Sequence, residues 1–143
     1  MISSDYRKKM ADSWFSYLQI QICKSFELLE KNKSQFSKRN WYKTKVKEGG
    51  GTSYLLSNGK IFDKVGVNKS TVSGIFPKKY RSNILGAEKN GKYWASGVSV
   101  VAHMKTRKFP RYISTQDLLL HLKNGLVEEW MQRQVMKIKK KVN

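Results

Sequence analysis

Cysteine is nearly absent from this 143-residue sequence, in which Cys23 is the only one. A single thiol excludes an internal disulfide, and a lone cysteine is typical of proteins from the reducing cytoplasm. Because Cys23 lies in a segment with helical periodicity, we expect it to be a small buried hydrophobe rather than a reactive group.

Long apolar runs are also absent. No stretch of 18 apolar residues occurs, which predicts no membrane-spanning helix, and residues 1–10 lack the apolar region of a secretory signal. Apolar residues still make up 39% of the chain and aromatic residues 12%, enough for one domain with a hydrophobic core. We therefore expect a globular, cytoplasmic protein without a membrane partner.

Negative charge is scarce. Acidic residues number 10 against 29 lysines and arginines, which gives a net charge of +19. This balance predicts attraction to an anion, and nucleic acid, anionic lipid or a small molecule with several carboxylates all qualify. A compositional bias that fills exposed positions with lysine would give the same charge without any partner, so the charge alone leaves these alternatives open.

Familiar phosphate-binding and catalytic motifs are missing as well. The glycines at 49–51 precede a predicted hairpin and no Gly-Lys-Ser/Thr, so neither a P-loop nor a dinucleotide-binding turn is indicated. They predict a mobile loop, or a loop whose N–H groups close on an anion. No paired carboxylates, Cys/His cluster or nucleophile–base pair stands out, so spacing alone predicts no reaction.

The N-terminal segment has a helical pattern that starts behind the N-cap candidates Ser3, Ser4 and Asp5. Apolar residues recur every four positions and predict an amphipathic helix of about seven turns whose stripe faces the core. The stripe consists of Met10, Trp14, Leu18, Ile22 and Phe26, with Phe15 and Leu29 beside it.

Extended segments follow this helix. Asn58-Gly59 separates two short apolar runs, which is a strong hairpin signal. The β-branched residues of segment 93–103 predict a buried strand. A helix followed by an antiparallel sheet is an α+β pattern.

Alternation along segment 93–103 places one group of unusually small residues on a single face of the predicted strand. That face carries Ala95, Gly97, Ser99, Val101 and His103. The small residues leave room for a flat ligand, with Ser99 and His103 as the polar groups. These two lie roughly 13 Å apart along a strand, so they cannot share one metal ion.

The sequence changes character after Lys105. Leucines from 118 to 126 and apolar residues from Trp130 to Ile138 predict a C-terminal helix, which ends in a basic cluster at 137–141. Such a tail allows two functions other than catalysis. One is a small basic nucleic-acid-binding module, and the other is an adaptor whose C-terminal helix docks on a partner.

Four segments carry a family pattern. Residues 45–53 (KVKEGGGTS) are similar to a glycine-rich segment, residues 59–70 (GKIFDKVGVNKS) to a G-x-V-F-E-x-x-G-V-N-x-S stretch, and residues 72–74 (VSG) to its V-x-G continuation. Residues 96–103 (SGVSVVAH) are similar to a G-V-S-L-V-x-H strand. In this order they resemble the oxygen-dependent coproporphyrinogen III oxidases, over about residues 6–105.

The resemblance implies a homodimeric, cytoplasmic enzyme of haem biosynthesis with a large antiparallel sheet flanked by helices. Such enzymes oxidatively decarboxylate two propionates of coproporphyrinogen III to vinyl groups, giving protoporphyrinogen IX. Molecular oxygen is the co-substrate, no organic cofactor is needed, and a divalent metal requirement is open. A substrate with four propionates would also account for a basic protein, so nucleic acid is not the expected partner.

Matching positions assign roles to two residues: Ser99 is implied to contact the substrate, and His103 to bind a metal. The family pattern continues with P-x-V-H-x-N-x-R and W-F-G-G-G-x-D, which include its proposed acid and a carboxylate-binding arginine, and neither string follows here. His121 does not lie in that context and is not assigned the acid role. No catalytic residue is therefore retained, and we expect the truncated chain to be inactive.

The missing segment can be recovered by re-reading the tail. With suitable codons, one adenine inserted after the Lys105 codon gives K-N-P-K-I-P-A-V-H-F-N, followed by T-R-F-I-T-T-S-K-K-W-F-G-G-G-M-D-A-T-P. This re-reading predicts that residues 1–105 are the N-terminal part of an oxidase domain. Residues 106–143 are then an out-of-frame tail, basic and helical in pattern.

We predict that the gene contains a run of adenines across the codons of Lys105 and Thr106, and that restoring one adenine opens a much longer reading frame. DNA sequencing through and beyond the stop codon tests this. Codons at 106–134 that cannot be re-read as the family segment would contradict the frameshift.

Overall fold

A computed structural model describes residues 3–31, 33–43, 48–84, 87, 89–106, 112–123 and 126–135. The elements in chain order are α1 (Ser4–Leu29), β1 (Ser37–Tyr42), β2 (Gly49–Ser57), β3 (Phe62–Ile75), α2 (Lys78–Arg81), β4 (Lys92–Met104), β5 (Tyr112–Lys123) and β6 (Leu126–Val135). The strands form one antiparallel sheet in sequence order. The predicted α+β class is confirmed. Within these residues, no helix is long and apolar enough to cross a membrane.

Helix α1 begins at one of its predicted caps, because the Ser3 Oγ accepts a 3.2 Å hydrogen bond from the backbone N–H of Tyr6. Its fully buried side chains are those of Phe15, Gln19 and Cys23. These residues recur every four positions, so a single stripe of the helix contacts the sheet.

The apolar stripe predicted for α1 is partly wrong. Leu18, Ile22 and Phe26 pack on the core as expected, but Met10 and Trp14 are each 54% exposed. The reason is that the N-terminal half of α1 stands over a polar cavity instead of the apolar core. The residues that are fully buried lie one position further along the helix than the predicted stripe.

The hydrophobic core lies between α1 and the facing side of β2, β3 and β4. It consists of Leu56, Phe62, Val65, Val67, Val98, Val100 and Ala102, with Phe15 and Cys23 from the helix. The register places Val65 opposite Ala102 and Val67 opposite Val100. We call this side of β4 the inner face and the side that carries Ser99 the outer face, because alternate residues point in opposite directions.

Cys23 is buried, as predicted for a small hydrophobic residue on a helix. Burial, reinforced by the nearby charge of Glu27, raises the pKa of its thiol to about 12. A thiol that stays protonated at neutral pH is a poor nucleophile, so Cys23 contributes packing and no chemistry.

The loop predicted at the glycines is wrong, because Gly49, Gly50 and Gly51 belong to β2. Gly50 pairs with Tyr42 on one side and Thr71 on the other, so its strand is enclosed between β1 and β3. Glycine is uncommon inside strands, and in such places it often marks a close approach of neighbouring groups.

The predicted C-terminal helix is also wrong for the parts of the tail that the structure describes, which form β5 and β6. Strand β4 would otherwise end the sheet with unpaired N–H and C=O groups, and pairing with β5 satisfies them. This long-range pairing overrides the local helical preference of a leucine-rich segment. A hairpin signal was present, since Asn124-Gly125 separates the two segments in the sequence. The basic cluster at 137–141 lies outside the described residues.

The predicted hairpin between β2 and β3 is confirmed, and Asn58 has the positive φ of 57° that such turns require. The side chain of Glu30, only 1% exposed, reaches this turn from the end of α1. Its carboxylate accepts hydrogen bonds from the backbone N–H groups of Lys60 (2.5 Å), Ile61 (2.8 Å) and Phe62 (2.7 Å). We call this arrangement the Glu30 clamp.

The clamp holds Glu30 in its charged form. Burial alone would raise the pKa of this carboxyl, but the three N–H donors and the nearby Lys105 outweigh burial and lower the pKa below its ordinary value. Lys105 also donates a 3.1 Å hydrogen bond to the carbonyl oxygen of Gly59. A Cβ on Gly59 would lie 2.5 Å from a Glu30 carboxylate oxygen, so only glycine fits there.

We predict that Glu30→Gln lowers the free energy of unfolding by about 1.5–3 kcal/mol at neutral pH, because a neutral amide replaces a charged acceptor. Urea unfolding followed by tryptophan fluorescence measures the change. A carboxyl whose folded-state pKa is lowered stabilises fully above its unfolded-state pKa, and this stabilisation is lost as pH falls through the folded-state pKa. The difference between wild type and variant should therefore shrink in acid.

Glu48→Gln is the matched control, since Glu48 makes only a 3.9 Å ion pair with Lys43 at the surface. Such a pair contributes about 0–1 kcal/mol. Equal losses of stability from the two substitutions would contradict the clamping role of Glu30.

Candidate functional site

The two predicted site residues lie on the outer face of β4, on the side of the sheet opposite α1. Both Ser99 and His103 are half-buried. The Cα partners of Ser99 are Asn68 in β3 and Thr115 in β5, whereas His103 is opposite Lys64. The strand brings Ser99 and His103 to one face, four residues apart, as the sequence predicts.

Small and polar residues surround Ser99 on the neighbouring strand. Gly66, Asn68 and Ser70 lie on the same face of β3, because directly opposed residues of antiparallel strands share a face. This surface offers hydroxyl and amide groups with little side-chain bulk. It therefore suits a flat ligand with polar substituents.

Asn68 is a candidate that the sequence reasoning missed. It lies within the 59–70 segment already recognised as a family pattern, two residues from both Gly66 and Ser70. Its place beside Ser99 depends on the register between β3 and β4, which no local sequence signal specifies.

The described residues do not form a metal centre around His103. No group of three or more His, Cys, Asp and Glu side chains in this part of the chain is arranged to hold an ion. A zinc ion bound to His103 would need ligands from outside these residues, since zinc sites take at least three protein ligands.

A cavity of about 880 Å³ lies on the inner side of the sheet, between the N-terminal half of α1 and β1 to β4. We call it the α1 cleft. Its charged lining consists of Lys8, Lys9, Lys38, Lys69 and Asp12, and its aromatic lining of Tyr42 and Trp94. The lining does not include Ser99 or His103, so the cleft and the outer face of β4 are separate surfaces.

One carboxylate organises the inner wall of the cleft. Asp12 accepts a 2.5 Å hydrogen bond from the Lys69 ammonium and another from the Thr71 hydroxyl. Thr71 in turn shares a 2.8 Å hydrogen bond with the hydroxyl of Ser96. The charge of Lys69 is thereby paired within the protein, and its side chain is only 12% exposed.

The buried amide of Gln19 joins the middle of α1 to the sheet. It donates hydrogen bonds to the carbonyl oxygens of Thr52 (2.7 Å) and Val67 (3.0 Å). A buried amide that makes two hydrogen bonds is satisfied as a donor. Together with Asp12, Gln19 attaches α1 to the sheet by polar contacts.

The glycines of β2 line the cleft, and their lack of a side chain lets neighbouring backbone and aromatic atoms approach the strand closely. A Cβ on Gly51 would collide with the Lys69 carbonyl oxygen and lie 2.8 Å from two ring carbons of Trp41. A Cβ on Gly66, in contrast, would meet nothing closer than 4.0 Å. Gly51 in β2 therefore requires glycine, whereas Gly66 in β3 has room for a side chain.

Comparison with known families assigns this fold to an enzyme family. A sequence model described as coproporphyrinogen III oxidase matches residues 10–131, from within α1 to within β6. The chain belongs to this family. The resemblance stated from the four segments is thereby confirmed. The matched range includes residues 106–131, and the frameshift stays a prediction.

Relatives in the family are close in sequence but much longer. The oxygen-dependent coproporphyrinogen-III oxidases of Rickettsia typhi and Rickettsia prowazekii are each 41% identical to this chain over 119 residues, and that of Rickettsia felis is 40% identical over 122 residues. Each alignment covers 76% of this chain and 43% of the relative. The chain thus spans less than half the length of these family members.

We predict that Gly51→Ala lowers the free energy of unfolding by about 1–3 kcal/mol, because the added methyl overpacks the contact between Trp41 and β2. Gly66→Ala is the matched control, and it should be neutral or raise stability by about 0.4–1 kcal/mol through the lower entropy of the unfolded chain. Thermal unfolding of both variants measures the contrast. An equal effect at the two glycines would contradict the tight approach at Gly51.

Proposed function

We propose that this chain is the N-terminal portion of an oxygen-dependent coproporphyrinogen III oxidase, and that the outer face of β4 forms part of its substrate surface. The observation that carries the proposal is the family match over residues 10–131. The names of the Rickettsia relatives supply the substrate and the dependence on oxygen.

The reaction sets what the protein has to bind. Each of two propionates loses carbon dioxide and becomes a vinyl group, and the two protons and two electrons that leave pass to molecular oxygen. Atom balance then gives one hydrogen peroxide for each propionate. The ring is flat in outline and carries four carboxylates, so its site needs an open surface and hydrogen-bond donors.

The outer face of β4 meets the first of these needs and part of the second. Ser99 can donate a hydrogen bond to a propionate oxygen, and the amide of Asn68 on the neighbouring strand offers further donors on the same face. His103 adds a second polar group further along β4. We assign Ser99 and Asn68 to substrate positioning and His103 to the rim of the site.

A metal role for His103 requires partners that the described residues do not supply. When bound, a divalent ion would neutralise the negative charge of a carboxylate or of reduced oxygen. The proposal includes a homodimer and a cytoplasmic location for the whole enzyme, both of which rest on the family resemblance.

The nucleic-acid-binding alternative has no observation in its favour beyond basicity. Its C-terminal helix is replaced by β5 and β6 in the described part of the tail. The matching family and the relatives are named for an oxidase. A high net charge accounts for non-specific attraction to nucleic acid, but it does not identify a surface that would recognise a base sequence.

We predict that, in the frame-restored protein, Ser99→Ala raises KM for coproporphyrinogen III by the equivalent of one hydrogen bond, about 0.5–1.5 kcal/mol, or more if the acceptor is a charged propionate. Purified enzyme is supplied with coproporphyrinogen III and oxygen, and the protoporphyrinogen IX formed is chemically oxidised and quantified by the fluorescence of protoporphyrin. His103→Ala should also lower kcat/KM.

Ser96→Ala is the control, because it makes the same substitution on the inner face of the same strand. Loss of the Thr71 contact should lower stability there and leave KM unchanged. If Ser99→Ala and His103→Ala both leave kcat/KM unchanged, the outer face is not the substrate surface. If the unsubstituted protein forms no vinyl product, the proposed activity itself fails.

A further inference from the structure

The α1 cleft contains more positive charges than its ion pairs neutralise. The ammonium of Lys69 is paired with Asp12, and that of Lys8 lies 3.7 Å from the exposed Asp5. Within the described part of the chain, neither Lys9 nor Lys38 has a carboxylate within ion-pair distance, and both side chains are exposed.

These two lysines, which have no carboxylate partner, stand on different walls of the cleft, and the ammonium of Lys38 lies 6.0 Å from the centroid of the Tyr54 ring. Lys9 belongs to α1 and Lys38 to β1, the first strand of the sheet, and both line the same cavity. A rigid frame holds the walls at a fixed distance, because Asp12 and Gln19 fasten α1 to β3 and β2 by hydrogen bonds. Two positive charges on separate rigid elements favour an anion with more than one charged group.

The lining of the cleft combines glycines with aromatic rings. Gly50 and Gly51 contribute no side chains there, while Tyr42 and Trp94 lie at different places along the lining. Aromatic faces attract planar ring systems by stacking. The cleft therefore combines separated positive charges with surfaces that fit a flat molecule.

We propose that the α1 cleft is a second binding site, separate from the outer face of β4, for a planar anion that carries several carboxylates or phosphates. Lys9 and Lys38 bind its charged groups, and Tyr42 and Trp94 contact its ring. A tetracarboxylate porphyrin and a nucleoside triphosphate share this chemistry. The proposal does not rest on the proposed oxidase activity, because binding at this site requires no turnover.

The test measures binding of three probes to the full chain by calorimetry at two salt concentrations. Coproporphyrin III and ATP represent the two sources of a planar polyanion, and citrate supplies the carboxylates without a ring. The variant Lys9→Gln/Lys38→Gln removes the two unpaired charges. Lys24→Gln/Lys78→Gln removes the same charge from exposed positions on α1 and α2 outside the cleft, and it controls for attraction by net charge.

We expect coproporphyrin III or ATP to bind, and the cleft variant to bind it about tenfold or more weakly, which is the loss of roughly one charge-assisted hydrogen bond. The control variant should stay within about twofold of wild type, as expected for exposed charges. The probe that binds more tightly identifies the source of the ligand. Equal weakening in the two variants, citrate binding as tight as that of the ring compounds, or no binding of any probe would overturn the proposal.

A second measurement avoids dependence on the variants. Acetylation of lysines in the unsubstituted chain is followed by mass spectrometry with and without the bound probe. Protection of Lys9 and Lys38, with Lys24 and Lys78 unchanged, supports the site. Uniform protection of all four lysines, or none, would overturn it even if the variants fail to fold.

Discussion

The carboxylate of Glu30 is the contact on which the geometry of the sheet and helix depends. It lies at the C-terminal end of α1 and collects three consecutive N–H groups from the connection between β2 and β3. A buried charge of this kind is tolerated only because its hydrogen bonds replace the lost water. The contact fixes one end of the helix over the core strands, so the direction of α1 across the sheet follows from it.

Polar groups also hold the middle and the N-terminal half of α1 on the sheet. Gln19 bonds two backbone carbonyls and Asp12 bonds two side chains of β3, whereas apolar packing is confined to the middle of the sheet. A cavity lined by lysines lies between the N-terminal half of α1 and the sheet. The outer face of the same sheet carries small polar residues. The inner face, in contrast, carries the apolar core and is covered by α1.

Local signals in the sequence were sufficient for part of this structure. The Asn58-Gly59 turn, the alternation along β4 and the burial of Cys23 each depend on neighbouring residues, and each was predicted correctly. The exposure of Met10 and Trp14 was not predicted, because helical periodicity specifies a stripe without specifying which part of it meets the core. The extended conformation of the glycines and of the tail depends on partners distant in sequence.

The candidate site divides in the same way. Ser99 and His103 could be placed on one face from period-two alternation and from the family pattern. Asn68 could not be placed beside Ser99, since the register of β3 against β4 is a long-range property. The Glu30 clamp and the α1 cleft join residues separated by about thirty positions or more, for which a single sequence contains no pattern.

The order of the strands has a consequence for how the protein is made. Each strand pairs with the one before it, so β1 to β4 can assemble as the chain leaves the ribosome, and only the far edge of β4 then waits for a partner. Hydrogen bonds along that edge join backbone groups and not side chains. An extended segment synthesised next can therefore pair with the edge as a further strand. Pairing of the tail with β4 through backbone groups therefore does not by itself require that selection acted on the sequence of the tail.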